Sequence, residues 1–251
     1  MADLRPKITI RPKALSSSPR GTKPKITIKA KAESIALPLI EPIQELISIG
    51  PKIIRLPHGE SWLEIWPVLP PELRMDRATF QRVWNLHPTD LARGKIFGKE
   101  IPFPRWTQAY GQSYKFSGKV HVAKAIEDPL LIIIMEWIQK DVALPYYHNL
   151  LLNWYQDGQH YIGPHSDNET QLIKGPPIYS FSYGAEREFV IETNPKRTQS
   201  PYRTVIRMPN GSLIKMCGKD FQYYYKHSVP KIAASTCPDP RINITARPMI
   251  I

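Results

Sequence analysis

The sequence predicts a mainly β protein of the α+β kind, with helices toward its N-terminal side and sheet-forming runs toward its C-terminus. Three observations carry this. After Asp167 the chain gives IYSFSYG and EFVIE, both rich in β-branched or aromatic residues that alternate with polar ones. YRTVIRM and SLIKM then flank Pro209-Asn210-Gly211, and Asn-Gly between two such runs signals a hairpin. The chain closes on RINITARPMI, where Arg241, Asn243, Thr245 and Arg247 alternate with Ile242, Ile244 and Ala246, so one face is polar and cationic and the other apolar.

Residues 1–33 read as a disordered basic tail. RPKITI (Arg5 to Ile10) recurs as KPKITI (Lys23 to Ile28), and up to residue 32 nine Lys and Arg stand against Asp3, a net of +8 out of +12 for the chain. Such charge with interleaved proline buries too little apolar area to pack. The tail is either an electrostatic tether or import signal for a polyanionic partner or a solubilising extension. Residues 34–60, with one short amphipathic run from Leu39 to Ile49, read as a connector. Residues 61–251 form the working domain. No run of the chain reaches about 18 apolar residues and the opening MADLRPKITIRPK has no apolar stretch of a secretory signal, so no membrane partner is expected. Cys217 and Cys237 show no metal-ligand spacing and fit a reducing intracellular compartment, nuclear if the source is eukaryotic and otherwise cytoplasmic.

From Trp62 the pattern predicts a strand, then a helix entered at Pro70-Pro71 with Leu73, Phe80, Val83 and Trp84 as its apolar stripe. A second helix starts at Asp128-Pro129, with Asp as N-cap and Pro in the first turn, and stops at Leu144-Pro145. Between the helices, at about 93–118, aromatics alternate with bases in GKIFGKEIPFPRWTQAYGQSYKFSG, a composition suited to stacking on nucleobases and meeting phosphates. The plainer reading puts some of these aromatics, Trp106 and Phe116 above all, in the core.

His165 and Asp167 stand two apart on an extended segment and project to one face. Imidazole and carboxylate so placed are two of the three ligands of a facial triad, which leaves Fe(II) with open positions. A solvated loop His beside a turn Asp would leave the same trace, and the third ligand is open among His58, His87, His121, His148, His160 and His227. Two inward arginines on the last strand require an anion, and a small dicarboxylate would meet that need.

The motifs N-x-Y-x-D-G (Asn153 to Gly158), H-x-D-x-E (His165 to Glu169), P-I-x-S-x-S-x-G (Pro177 to Gly184), G-S-L (Gly211 to Leu213), H-S-V-P (His227 to Pro230) and R-x-N-x-T-x-R (Arg241 to Arg247) run in this order. Together they resemble the AlkB family of Fe(II)- and 2-oxoglutarate-dependent dioxygenases, in its nucleic acid alkylation-repair branch. The resemblance implies a double-stranded β-helix, or jelly-roll, buttressed by the N-terminal helices. It implies Fe(II) on His165, Asp167 and His227. It implies 2-oxoglutarate held by Arg241, Tyr155 and Thr245 at the distal carboxylate and by Asn153 and Arg247 at the chelating end, with O2 as second co-substrate. Phe97, Gly98, Arg105, Tyr110 and Gln112 would belong to the nucleotide-recognition lid, while Asn168 and Glu169 would face the alkylated base. Asn168 stands where many relatives carry a second Asp. The implied activity is demethylation of N1-methyladenine and N3-methylcytosine in DNA, with RNA as a second candidate, by a monomer. The rival readings are a nucleic-acid-binding module without catalysis and a demethylase of protein or small molecules.

Overall fold

The computed structural model describes residues 50–96, 99–116, 119–142, 147–167 and 169–250. The basic tail, the run Leu39 to Ile49, Phe97, Gly98, Asn168 and the Leu144-Pro145 stop lie outside the described residues. Among those described, no helix is long and apolar enough to cross a membrane.

Two sheets face each other. The larger has eight strands: β1 (Lys52–Arg55), β2 (Trp62–Trp66), β14 (Ser212–Cys217), β11 (Ile178–Gly184), β16 (Arg241–Pro248), β9 (Tyr147–Tyr155), β5 (Trp106–Gly111) and β8 (Ala123–Lys124), in that spatial order. The smaller is ordered β10 (Ile162–His165), β15 (Tyr225–Val229), β12 (Arg187–Thr193) and β13 (Arg203–Met208). Their facing sides share a core in which Ile178, Ile214 and Met216 of the large sheet meet Phe189, Ile191, Met208 and Val229 of the small one. This is the expected jelly-roll. Two hairpins, β3 (Arg93–Ile96) with β4 (Lys99–Pro102) and β6 (Tyr114–Phe116) with β7 (Lys119–His121), flank β5 in the segment read as a lid.

The helices cover the outer face of the large sheet. Period-two alternation sorts its residues: Leu150, Leu152 and Trp154 of β9, Tyr179, Phe181 and Tyr183 of β11, and Ile242, Ile244 and Ala246 of β16 all pack under α1 (Arg77–Trp84) and α2 (Pro129–Val142). Helix α2 begins as the sequence predicts, with Asp128 Oδ1 accepting from the Leu130 amide at 2.9 Å. Helix α1 does not. Pro71–Leu73 is only a 3-10 turn, and the helix starts at Arg77 because Asp76 caps it, accepting from the Thr79 amide at 2.7 Å.

Two further expectations are corrected. Lys52–Arg55, assigned to the connector, is instead a strand, paired with β2 at the margin of the large sheet. The Asn210-Gly211 turn joins strands of different sheets, since β13 pairs with β12 and β14 with β11 and β2. Tertiary bonds explain it: Gly211 takes a positive φ of 70°, its amide donates to Ser182 O, and its carbonyl accepts from the Leu69 amide. Gly184 is similarly required. At φ 85° it ends β11, where a Cβ would lie 2.4 Å from Pro240 O.

Candidate active site

At the mouth of the roll, the antiparallel pairing of β10 and β15 sets His165 opposite His227. Their ring centroids are 4.1 Å apart. Asp167 follows two residues after His165, its amide donating to Gln222 Oε1 at 2.8 Å. One donor atom each from His165, Asp167 and His227 lies within 4.8 Å of the other two. Three other histidines are engaged elsewhere: His87 stacks on Trp106 at 4.4 Å, the His58 ring bonds Ser200 O, and His160 Nδ1 accepts from the Gln156 amide.

The electrostatics suit a cation. Burial, with His165 adding to it, pushes His227 down to about 3, so its imidazole is neutral at pH 7 and keeps a lone pair. Burial also lowers His165, whose Nδ1 lies 3.0 Å from Gly163 O; a proton on that nitrogen leaves Nε2 as the donor atom. Burial alone would raise Asp167, but His227, Arg247 and His165 outweigh it and hold the carboxyl below its ordinary value. Asp167 Oδ2 and His227 Nδ1 are buried without a hydrogen-bond partner among the described residues, and Phe189 stacks on the His227 ring at 5.5 Å. Two neutral imidazoles and an ionised, unsatisfied carboxylate form a donor set that fits a divalent iron site.

Beside it lies the polar face of β16. Arg241 is 1% exposed, donates from Nη2 to Ser182 Oγ at 2.8 Å, and keeps Nε and Nη1 buried without hydrogen-bond partners among the described residues. Its guanidinium carbon sits 5.0 Å from the Tyr155 ring centroid. A buried cation with two idle donors fits an incoming carboxylate. Asn243 binds Ser180 Oγ and Phe181 O, and Thr245 Oγ1 donates to Asn243 Oδ1 at 3.1 Å. Arg241, Asn243, Thr245 and Ser180 line one cavity with His165, Asp167 and His227, together with Asn153, Tyr155, Arg105, Glu169 and Arg247.

Other placements differ from the sequence reading. Glu169, expected to face a base, is ion-paired with Arg247, which also lies 3.6 Å from Asp167 Oδ1. Burial and then the neighbouring Asp167 charge raise the Glu169 carboxyl, against Arg247, which lowers it. Glu169 Oε2 stays buried without a hydrogen-bond partner. Arg105 reaches inward, Nε donating to Asn153 Oδ1 at 2.8 Å, so the segment read as a lid is tied to β9 at the cavity wall. Tyr110 is a core residue and no part of the cavity wall: it is 4% exposed, packed with Leu130 and Leu150, its hydroxyl toward Leu86 O. Gln112 is likewise remote, bonded to Ile250 O. Sequence reading missed Ser180, Ser182, Phe189 and Gln222. The two serines had a signal in P-I-x-S-x-S-x-G, since they share one face of β11 and meet the polar face of β16.

Comparison with known proteins agrees with this geometry. Residues 97–247 match the model of the 2OG-Fe(II) oxygenase superfamily. The chain is 36% identical over 171 residues to human "DNA oxidative demethylase ALKBH2", an alignment covering 64% of this chain and 62% of the relative. To the mouse protein of that name it is 33% identical, covering 64% and 68%. To mouse "Alpha-ketoglutarate-dependent dioxygenase alkB homolog 3" it is 31% identical, covering 58% and 52%. The chain thus spans less than two thirds of the human relative's length.

Proposed function

Because the chain belongs to the 2OG-Fe(II) oxygenase superfamily, in its AlkB branch, we propose that it is a dioxygenase that removes methyl groups from alkylated bases of DNA. The observation that carries this reading is the cluster of His165, Asp167 and His227 beside a buried Arg241 with two unused N–H donors. The favoured substrates are N1-methyladenine and N3-methylcytosine, with RNA as a second nucleic acid. We further assign the protein as a monomer, acting in the nucleus of a eukaryotic source.

His165, Asp167 and His227 would hold Fe(II). Arg241, Tyr155 and Thr245 would take the distal carboxylate of 2-oxoglutarate, and Asn153 and Arg247 its chelating end. When bound, iron with 2-oxoglutarate and O2 supplies the oxidation that hydroxylates an N-methyl group, yielding succinate and CO2 and releasing the carbon as formaldehyde. The chain's own side chains position and insulate. Phe189, Ile162 and Val229 line the cavity with apolar surface and keep water from the donor set. Glu169, anchored through one oxygen by Arg247, keeps a second acceptor for the cationic ring or exocyclic amine of a methylated base. Phe97, Gly98 and Arg105, the last at the cavity wall, would supply the lid, since an enzyme acting on a base-pairing nitrogen must take the base out of the stack.

The test is formaldehyde release from single- and double-stranded oligonucleotides carrying N1-methyladenine or N3-methylcytosine, with Fe(II), 2-oxoglutarate and O2. Wild type should release formaldehyde and His165→Ala none. Succinate formed without formaldehyde from any oligonucleotide would move the substrate to protein or a small molecule. Absence of both products would leave a binding module.

A further inference from the structure

Arg187 is 2% exposed at the head of β12, close to the cavity but not in its wall. Its guanidinium spends its donors on three backbone carbonyls: Nη1 on Asp157 O at 3.1 Å, and Nη2 on His160 O at 3.0 Å and Pro230 O at 2.7 Å. No carboxylate among the described residues lies within ion-pair distance of it; peptide dipoles solvate its charge, and the Asp157 carboxylate acts on it only from farther off. Burial lowers the guanidinium's affinity for its proton. Keeping an unneutralised cation inside a protein is costly, and an apolar residue of similar length would pack there without that cost.

The placement of its partners gives the charge a use. Asp157 and His160 lie in the turn between β9, which carries Asn153 and Tyr155, and β10, which carries His165. Pro230 directly follows β15, which carries His227. One side chain therefore ties together the ends of three strands on which the site is mounted. The Arg187 guanidinium carbon also sits 5.8 Å from the Tyr155 ring centroid, and that same ring lies 5.0 Å from the guanidinium carbon of Arg241. Two buried cations share one phenol, and each disfavours the other's charge until an anion arrives.

We propose that Arg187 is a positioning residue for the dianionic co-substrate. It adds a second positive charge behind Tyr155 and fixes the ring against which Arg241 meets the distal carboxylate. This rests on the 2-oxoglutarate reading of the cavity and deepens it. Arg187 touches neither metal nor co-substrate, so its effect falls on the affinity for the dianion and spares the ion itself.

The experiment is calorimetric titration of the full chain, first with Mn(II) and then, on the Mn(II)-loaded protein, with 2-oxoglutarate, for wild type, Arg187→Met and Arg187→Lys. Arg187→Met should weaken 2-oxoglutarate binding by about tenfold, the scale of one unit charge acting over roughly 10 Å in a partly screened interior. Mn(II) affinity should stay within about twofold, since Arg187 lies outside the ligand set. Arg187→Lys keeps the charge but not the fork to three carbonyls, and its affinity should lie between the other two. Unchanged 2-oxoglutarate affinity in either folded variant overturns the proposal. So does a parallel loss of Mn(II) and 2-oxoglutarate affinity, which would make Arg187 a scaffold element alone. Wild type that binds Mn(II) but no 2-oxoglutarate overturns the co-substrate reading itself, a result distinct from both.

Discussion

The two faces of β16 meet opposite fates. Toward the helices, Ile242, Ile244 and Ala246 are fully buried among aromatics that include Trp154, whose Nε1 donates to Val83 O at 3.0 Å, and Tyr183, whose hydroxyl donates to Leu73 O at 2.9 Å. Toward the cavity, Arg241 and its neighbours Asp167, His227 and Glu169 are also buried, yet each holds an atom with no hydrogen-bond partner. Among the described residues the Trp154 and Tyr183 donors on one face are satisfied, while the cavity face keeps polar atoms that are not. Burial therefore means stability on one side and readiness on the other.

That contrast can be broken by experiment. The largest effect is expected from Asp167→Ala, which should cost at least about a hundredfold in Fe(II) or Mn(II) affinity and abolish turnover. The metal-free melting temperature should hold or rise, because a buried charge is removed; a deep loss of metal-free stability would show that Asp167 belongs to the frame. Next, Arg241→Met should lower 2-oxoglutarate affinity by about a hundredfold while leaving stability unchanged or higher, as expected when a poorly satisfied buried guanidinium is replaced by an apolar chain. Isothermal titration and denaturant melts read the two quantities separately.

On the other face the pattern should invert. Ile244→Ala should cost about 3 kcal/mol in a urea melt and leave 2-oxoglutarate affinity untouched. An equal shift in affinity would dissolve the distinction between the faces. The smallest effect concerns alkaline stability. Burial pushes Tyr110 up to about 12, and burial, with Glu64 adding to it, pushes the Cys217 thiol up to about 12. Both pKa values are raised in the fold, so the stability these groups contribute is full below their unfolded values near 9 to 10. It is lost as pH rises toward 12. Thermal melts between pH 8.5 and 11 should decline, and Tyr110→Phe should shallow that decline.

Legibility followed distance along the chain. The alternation in RINITARPMI, the Asp128-Pro129 cap and the His165/Asp167 spacing are local patterns, and the structure contains each of them. The Glu169–Arg247 ion pair and the Arg105–Asn153 bond join residues far apart, and no spacing rule announces them. Tyr110 misled because its neighbourhood is aromatic and basic, while alternation along β5 sends Thr107 to the cavity and Tyr110 to the opposite, helix-covered face beside Leu130 and Leu150. The helix start slipped from Pro70 to Arg77 because a double proline resembles an entry signal, while the true cap, Asp76 with Thr79 three residues on, carries only one hydrogen bond as its mark. Asn210-Gly211 gave the turn correctly but not its partners, since which sheet each flanking strand joins is decided by Ser182 and Leu69.

The position of β10 bears on how the ion comes and goes. It is the outermost strand of the small sheet, four residues long, with broken register against β15. Short marginal strands detach at little expense while the body of a sheet stays closed. His165 therefore stands on the marginal strand of the mouth and His227 on the inner one. Chelators should strip the ion through brief fraying of this strand, leaving an intact vessel ready to be refilled.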